Sequence, residues 1–277
     1  MLYHTGVARA VEVNEPSSHR TNQKRPLVSA YLITLNEEEN ITRALRSVSW
    51  AEEIIVLDSG STDRTCEIAR AMGAKVFSEP FRGYVEQKNR ALDLCAGDWA
   101  FNLDADEEVT DNLRSSILAT VGNESDNPLY PAYEVSRRTW YMGRWIRHCG
   151  WYPQYRCRLS RRSGARWTGE TLHESLTASG KTGRLSGDLL HRPYRDLGAH
   201  LRAIDRYSEL FATREYDRGR STTIIGLALR PPLKFVKMYV LKGGFLDRAP
   251  GFVASLMGAW YTFMKYARLY ERAGIPR

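Results

Sequence analysis

The stretch Asp98-Trp99-Ala100-Phe101-Asn102-Leu103-Asp104-Ala105-Asp106-Glu107-Glu108 decides how this chain is read. Trp99 to Leu103 has the apolar content and length of a short buried strand, and it runs directly into Asp104, Asp106 and Glu107. Carboxylates at i and i+2 leave an extended chain on the same side. Hard oxygen ligands so placed suit Mg²⁺ or Mn²⁺, which proteins hold through one or two carboxylates while a substrate's phosphates complete the shell. The stretch therefore reads as a metal–diphosphate site at the carboxyl edge of a sheet. An Asp-x-Asp pair is also an ordinary solvated turn, so its neighbours have to carry the reading.

Upstream, Val28 to Thr34 is a continuous apolar run of strand length. Asn36-Glu37-Glu38-Glu39 follows, an acid-rich stretch suited to the first turn of a helix, and Ile41, Leu45 and Val48 recur at helical spacing. Glu53 to Leu57 is a second buried strand closing on Asp58-Ser59-Gly60-Ser61-Thr62-Asp63. Ile68, Ala69 and Met72 mark a helix that Gly73 ends, Ala74 to Ser78 a third strand, and Tyr84 to Cys95 a third helix before Gly97. Such alternation with short links implies a parallel sheet with helices on both faces. In such sheets ligands sit beyond the carboxyl ends of the strands. Three strand ends here are polar: Thr34 to Glu37, Asp58 to Ser61, and Asp104 to Asp106.

After the loop-like Asn123 to Pro128 the style changes. Ala132 to Tyr141 and Tyr155 to Arg161 read as antiparallel strands rich in arginine and aromatics, and Leu185 to His191 as a further strand. Helices are expected over Leu197 to Tyr216, Pro232 to Lys242 and Gly251 to Arg272. The expected organisation is a frayed leader (1–26) and a catalytic domain (27–195), followed by a helical, basic extension (196–277). The domain divides into a nucleotide-sugar half (27–108) and an acceptor half (109–195).

The 277 residues carry a formal charge of +8, and it is unevenly placed. Arg195 to Arg277 holds 15 Lys/Arg against 7 Asp/Glu, so the remainder is neutral. That asymmetry points the extension towards an anionic partner, a membrane surface or a nucleic acid. No nucleic-acid module accompanies it, which favours the membrane. Phe252, Leu256, Trp260 and Phe263, at helical intervals with Lys265 and Arg268 beyond, read equally as an interfacial face or a core-packing stripe. The four cysteines have no CxxC spacing and read as reduced cytosolic thiols. The longest charge-free apolar run, Gly251 to Met264, is too short to span a bilayer. The expected location is the cytoplasm, peripheral on the inner face of the cytoplasmic membrane.

The order of these motifs resembles family 2 glycosyltransferases of the GT-A fold, a Rossmann-like mostly parallel sheet with flanking helices. The carrying residues are Val28 to Glu37, Ile54 to Asp63, Gln87 to Arg90 and Gly97 to Asp106. Gly169 to Glu174, Gly187 to His191 and Lys237 to Gly251 are similar to one branch, the β-1,4-glucosyltransferases of the lipopolysaccharide inner core. The resemblance implies that Thr34, Asn36 and Glu37 line the nucleotide pocket and that Asp58 and Ser59 hold the base, although many relatives carry two aspartates there. It also implies Lys88 and Asn89 near the ribose or diphosphate, Asp104 facing ribose and sugar, and Asp106 on the metal.

The chemistry needs a neutralised leaving diphosphate, an exposed anomeric carbon and a base for the acceptor hydroxyl. Glu174 is the expected base, giving inversion. His173 and His191 are lesser candidates for a further metal ligand. In a strand His173 and Glu174 would face opposite ways. The expected function is a metal-dependent (Mn²⁺ or Mg²⁺) hexosyltransferase moving sugar, glucose from UDP-glucose by the resemblance, to a lipopolysaccharide-core or related glycolipid. The alternatives are a polyprenyl-phosphate glycosyltransferase and a non-catalytic nucleotide-sugar or glycolipid binding module. Ser179-Gly180-Lys181-Thr182 is not a P-loop, because Ser175 stands where the first glycine belongs.

Overall fold

The computed structural model describes residues 27–122, 130–169 and 174–274; the expected leader lies outside them. Four parallel strands form the first half of the sheet: β1 (Val28–Thr34), β2 (Glu53–Asp58), β3 (Lys75–Ser78) and β4 (Trp99–Asn102). Helices α1 (Ile41–Ser47), α2 (Thr65–Ala71) and α3 (Tyr84–Asp93) connect them. Along β1 the side chains alternate between two buried clusters. Val28, Ala30 and Leu32 pack with α1 residues and Trp99, whereas Tyr31 packs with α3 and Trp167. A strand covered on both faces has to be apolar throughout, which is why β1 is legible as a continuous run.

Beyond β4 the sheet becomes mixed. The next elements are β5 (Glu107–Val109), α4 (Asp111–Gly122), β6 (Ala132–Tyr141), β7 (Arg144–Trp145), β8 (Gln154–Arg161), β9 (Arg166–Thr168), β10 (Ser175–Thr177) and β11 (Thr182–His191). The main order is β3-β2-β1-β4-β8-β6-β11-β5, with β8 antiparallel to both β4 and β6, and β11 parallel to β6. β4 and β5 lie four strand spacings apart, ~19 Å if the sheet were flat. Only five residue steps join Asn102 to Glu107, ~17 Å at full extension. The sheet must therefore curl, and Leu103 to Asp106 bridges the mouth of the curl. α1 packs on β5 from the other side, and Arg43 reaches Glu108 at 3.8 Å. The α/β architecture with a helical C-terminal region is the one expected.

One local expectation is corrected. Asn36 to Glu39 is not the first turn of a helix, which begins at Ile41. Asn36 takes a left-handed φ of 55°, and its side-chain oxygen accepts from Thr62 N–H at 2.8 Å. Glu38 accepts from Arg64 N–H at 3.1 Å. These side chains tie two loops together instead of capping a helix.

The C-terminal region comprises α5 (Leu197–Asp217), α6 (Ile224–Val236) and α7 (Arg248–Gly274), with a π turn (Lys237–Leu241) and a 3₁₀ turn (Gly244–Asp247) between the last two. α6 starts eight residues earlier than expected, at Ile224. Thr223 caps it by accepting from Gly226 N–H at 3.1 Å, and Pro231 and Pro232 lie inside it. Asp247, fully buried, accepts from the N–H groups of Arg147 (3.1 Å) and His148 (2.7 Å) and so latches the extension to the β7 loop. Among the described residues no helix is long and apolar enough to cross a membrane.

Candidate active site

The site forms where the loops after β1, β2 and β4 converge. Asp58, at the end of β2, is almost fully buried, and its carboxylate organises the loop that follows. One oxygen accepts from the N–H groups of Gly60 and Ser61, both at 2.9 Å. The other accepts from Ser61 Oγ at 2.5 Å and Thr34 Oγ1 at 3.2 Å. Burial pushes the Asp58 carboxyl up, but these hydrogen bonds outweigh it and hold the group below the usual carboxylate range. Ser59 N–H donates to Thr34 O at 2.9 Å, and Asn36 N–H to Ser61 Oγ at 2.8 Å. Thr34, Asn36, Asp58 and Ser59 thus belong to one knitted pocket wall. Asp58 is fixed as its organiser.

Glu37 donates its N–H to Thr65 Oγ1 at 2.7 Å. Its carboxyl is pushed up, first by burial and then by Asp106, Asp63 and Asp104, with Asn40 opposing the shift. Glu37 thus lies within electrostatic reach of carboxylates on two other loops.

Asp104 and Asp106, two residues apart, have different company. Asp104 Oδ2 accepts from Arg158 Nη2 at 2.7 Å, while Asp104 Oδ1 lies 3.5 Å from Lys88 Nζ. Burial raises the Asp104 pKa, but Arg158 and Lys88 overcome it and hold the carboxyl well below its ordinary range. Arg158 also binds Glu107 Oε1 at 2.7 Å and Asn102 Oδ1. Glu107 itself is fully buried as the first residue of β5. Asp106 instead pairs with His191 Nε2 at 3.2 Å, at the end of β11, leaving His191 Nδ1 buried without a hydrogen-bond partner. A carboxylate and an imidazole are donor types that Mn²⁺ accepts, and among the described residues no third His, Cys, Asp or Glu joins the pair. Asp106 and His191 fit a divalent ion in chemistry; Asp104 is already neutralised by two cations.

Lys88 joins the two halves of the fold. It is buried in α3 and sits 4.5 Å over the Trp167 ring. Its ammonium reaches Glu174 Oε1 at 3.1 Å as well as Asp104. Glu174 precedes β10 and is partly buried. Asn89, the next residue on α3, has another duty: it accepts from Trp167 N–H at 2.8 Å and donates to Trp167 O at 2.9 Å. Its amide anchors β9. His173 lies outside the described residues.

The residues that sequence reasoning missed are Arg158, Glu107 as a buried partner, Arg137 and Trp167. The available signal was Arg158 itself, a charge between Cys157 and Leu159 in a strand that the apolar pattern places inside a sheet.

Comparison with known proteins places this arrangement. The model of "Glycosyl transferase family 2" matches residues 29–175. The chain is 31% identical over 261 residues to the lipopolysaccharide core biosynthesis glycosyltransferase LpsC of Rhizobium meliloti (strain 1021), covering 90% of this chain and 93% of that protein. It is also 31% identical to an uncharacterized glycosyltransferase of Rickettsia typhi, over 88% of this chain and 87% of the relative. Among solved structures, glucosyl-3-phosphoglycerate synthase from Mycobacterium tuberculosis aligns over 72% of this chain and 82% of its own. The identity is 20% and the TM-score 0.44.

Proposed function

This chain belongs to glycosyl transferase family 2, and from that premise we propose that it transfers a hexose, glucose from UDP-glucose, with inversion to a glycolipid of the lipopolysaccharide core. The relation to LpsC supports the acceptor class. The observation that carries the mechanism is Lys88, whose ammonium lies 3.5 Å from Asp104 and 3.1 Å from Glu174. One buried cation thereby brings a sugar-facing carboxylate and a second carboxylate to the same cleft.

The roles follow from what each group has free. The knitted loops around Thr34, Asn36, Glu37 and Ser59 receive the nucleoside; Asp58 holds their shape. Asp104, kept ionised by Arg158 and Lys88, accepts hydrogen bonds from ribose and sugar hydroxyls. Asp106 and His191 would hold a divalent ion, Mn²⁺ or Mg²⁺, which when bound supplies Lewis-acid neutralisation of the diphosphate. Glu174 takes the proton of the acceptor hydroxyl as its oxygen bonds to the anomeric carbon and the bond to the diphosphate breaks. Lys88 fixes the Glu174 carboxylate in place for that transfer. Glu174→Gln is expected to lower kcat by roughly 10²–10⁴-fold with UDP affinity unchanged. Retained turnover would remove Glu174 from the role of base.

The acceptor's lipid requires a surface, and α6 offers one. It buries no residue. Ile224, Ile225, Leu229 and Leu233 are all more than half exposed, and Leu241 is 75% exposed. On α7 the small residues Gly251, Ala254, Ser255 and Ala259 pack inward while Phe252, Leu256 and Trp260 face out. Between Ile224 and Trp260 stand five Lys/Arg and a single acid, the buried Asp247. An exposed apolar face rimmed by cations suits an anionic lipid surface. Salt-sensitive flotation with vesicles containing phosphatidylglycerol is the expected behaviour; failure to float would discard peripheral attachment.

A further inference from the structure

A cavity of about 290 Å³ lies between the β6–β8–β11 end of the sheet and helices α5, α6 and α7. It begins where the candidate metal site ends, because His191, the partner of Asp106, lines it. Its walls combine aromatic rings, Trp151, Tyr194, Tyr207 and Tyr261 among them, with the cations Arg137 and Lys234. Among the described residues no aspartate or glutamate lines it.

The cations there are under-used. Lys234 has no acidic partner among the described residues, and its charged neighbour is another cation, Lys237. Arg137 lies 3.6 Å from Glu107, a carboxylate already held by Arg158 at 2.7 Å, and Arg137 Nε is buried with no hydrogen-bond partner. Gln154, on the cavity wall, accepts from Arg137 Nη2 at 3.0 Å and thereby aims it. Along β8, Gln154 and Arg156 alternate onto one face, and a bulge at Arg158 breaks the alternation there. Arg156 forms no ion pair among the described residues, and its guanidinium reaches only the carbonyl of Tyr155, at 3.2 Å. Positive charge beside the cavity is therefore less compensated at Arg137 and Arg156 than at Arg158, which binds both Asp104 and Glu107.

We propose that this cavity is the acceptor subsite and that it takes a saccharide bearing an acidic group, a phosphate or a carboxylate. This rests on the glycosyltransferase reading given above and narrows its acceptor. Aromatic faces stack on the apolar face of a pyranose ring, and a lysine without an acidic partner beside an arginine that shares its one carboxylate with Arg158 favours an anion. A neutral sugar could accept a hydrogen bond from Arg137 but would leave its charge uncompensated. The position between Asp106–His191 and the lipid-facing α6 places the attacking sugar beside the donor and its lipid towards the membrane.

The test is a binding titration of the full chain with glucose 6-phosphate, glucuronic acid and glucose, each in the presence of UDP and Mn²⁺. The UDP isotherm is recorded in parallel. One or both acidic sugars are expected to bind at least ~10-fold tighter than glucose, a difference of about 1.4 kcal/mol. Lys234→Glu should abolish that preference while UDP affinity stays unchanged, which also shows that the variant folds. Lys181→Glu, in the exposed turn before β11, makes the same charge change elsewhere and should leave the preference intact. The phosphate and carboxylate arms separate the two acid classes. Equal binding of glucose, no binding of either acid at about 20 mM, or equal loss in Lys181→Glu would overturn the proposal. Failure of UDP to bind the wild-type chain would strike the glycosyltransferase reading instead.

Discussion

The carboxyl edge of β1, β2 and β4 and the outer face of α6 treat charge and apolar surface in opposite ways. At the strand edge, charges are buried and paired: Arg158 joins Asn102, Asp104 and Glu107, and Lys88 joins Asp104 and Glu174. On α6, apolar side chains are exposed and the cations have no acidic partner among the described residues. Buried ions lose solvation that their mutual attraction only partly returns, so the edge is held for geometry more than for stability. Exposed leucine and isoleucine lose nothing when the helix is unpartnered but gain when something apolar covers them.

Substitutions can break this contrast. Arg158→Met should have the largest effect, since it strands Asp104 and Glu107 in a buried setting. A loss of roughly 3–5 kcal/mol is expected in urea unfolding, partly recovered by adding Glu107→Gln. An Arg158→Met protein as stable as wild type would mean that the edge is wetter than the hydrogen bonds imply.

Gly251→Ala should come next. Its Cβ would lie 1.9 Å from the backbone oxygen of Gly244, in the turn that carries Asp247. The rigid clash predicts a loss of roughly 1–3 kcal/mol and release of the latch on the β7 loop, visible as a lower Tm. Gly258→Ala is the milder control, because its Cβ meets the flexible ends of Met238 and Lys234 and no backbone.

His200 supplies a pH-dependent difference. It is buried, accepts or shares a proton with Tyr141 Oη at 2.9 Å, and stacks on Tyr194; burial pushes its pKa down to about 4. In the unfolded chain it titrates at the ordinary value, so between these two pH values the unfolded state binds a proton that the folded state does not. Stability should therefore fall as pH drops from about 6.5 towards 4, by roughly 1–3 kcal/mol from this group. His200→Phe should flatten that slope in pH-dependent denaturation, and an unchanged slope would assign the acid sensitivity elsewhere.

The smallest stability change belongs to α6. Ile225→Ser with Leu229→Ser and Leu233→Ser should alter unfolding free energy by no more than about 1 kcal/mol, because none of the three is buried. The same triple variant should lose vesicle flotation. A large drop in Tm would show that these side chains pack against something within the protein.

The two regions also differed in how far the sequence disclosed them. β1 spans Val28–Thr34 as expected, because a strand buried on both faces is written as an uninterrupted apolar run. The Asp104–Asp106 loop was legible because its residues are consecutive. Arg158, on a strand 54 residues beyond Asp104, was not; His191, 85 residues beyond Asp106, was only a lesser candidate, and the curl of the sheet brings both in. Asp58 was read as a base-binding carboxylate. Its oxygens are spent on Gly60, Ser61 and Thr34, a local turn network that residue type alone does not reveal. For α6, Pro231 and Pro232 suggested a later start, yet a helix tolerates them once the Thr223 cap has set it. The stripe Phe252, Leu256, Trp260 and Phe263 was equally compatible with core or surface. The first three are about half exposed and Phe263 is partly buried, while the small residues on the opposite face of α7 pack inward.

The central claim is that Asp106, beside His191, makes nucleotide binding metal-dependent. The direct measurement is calorimetric titration of UDP into the wild-type chain and Asp106→Asn, each with and without Mn²⁺. The account predicts that Mn²⁺ strengthens UDP binding to the wild type by at least ~10-fold and that Asp106→Asn removes this gain. UDP binding that ignores both the metal and the substitution would contradict it.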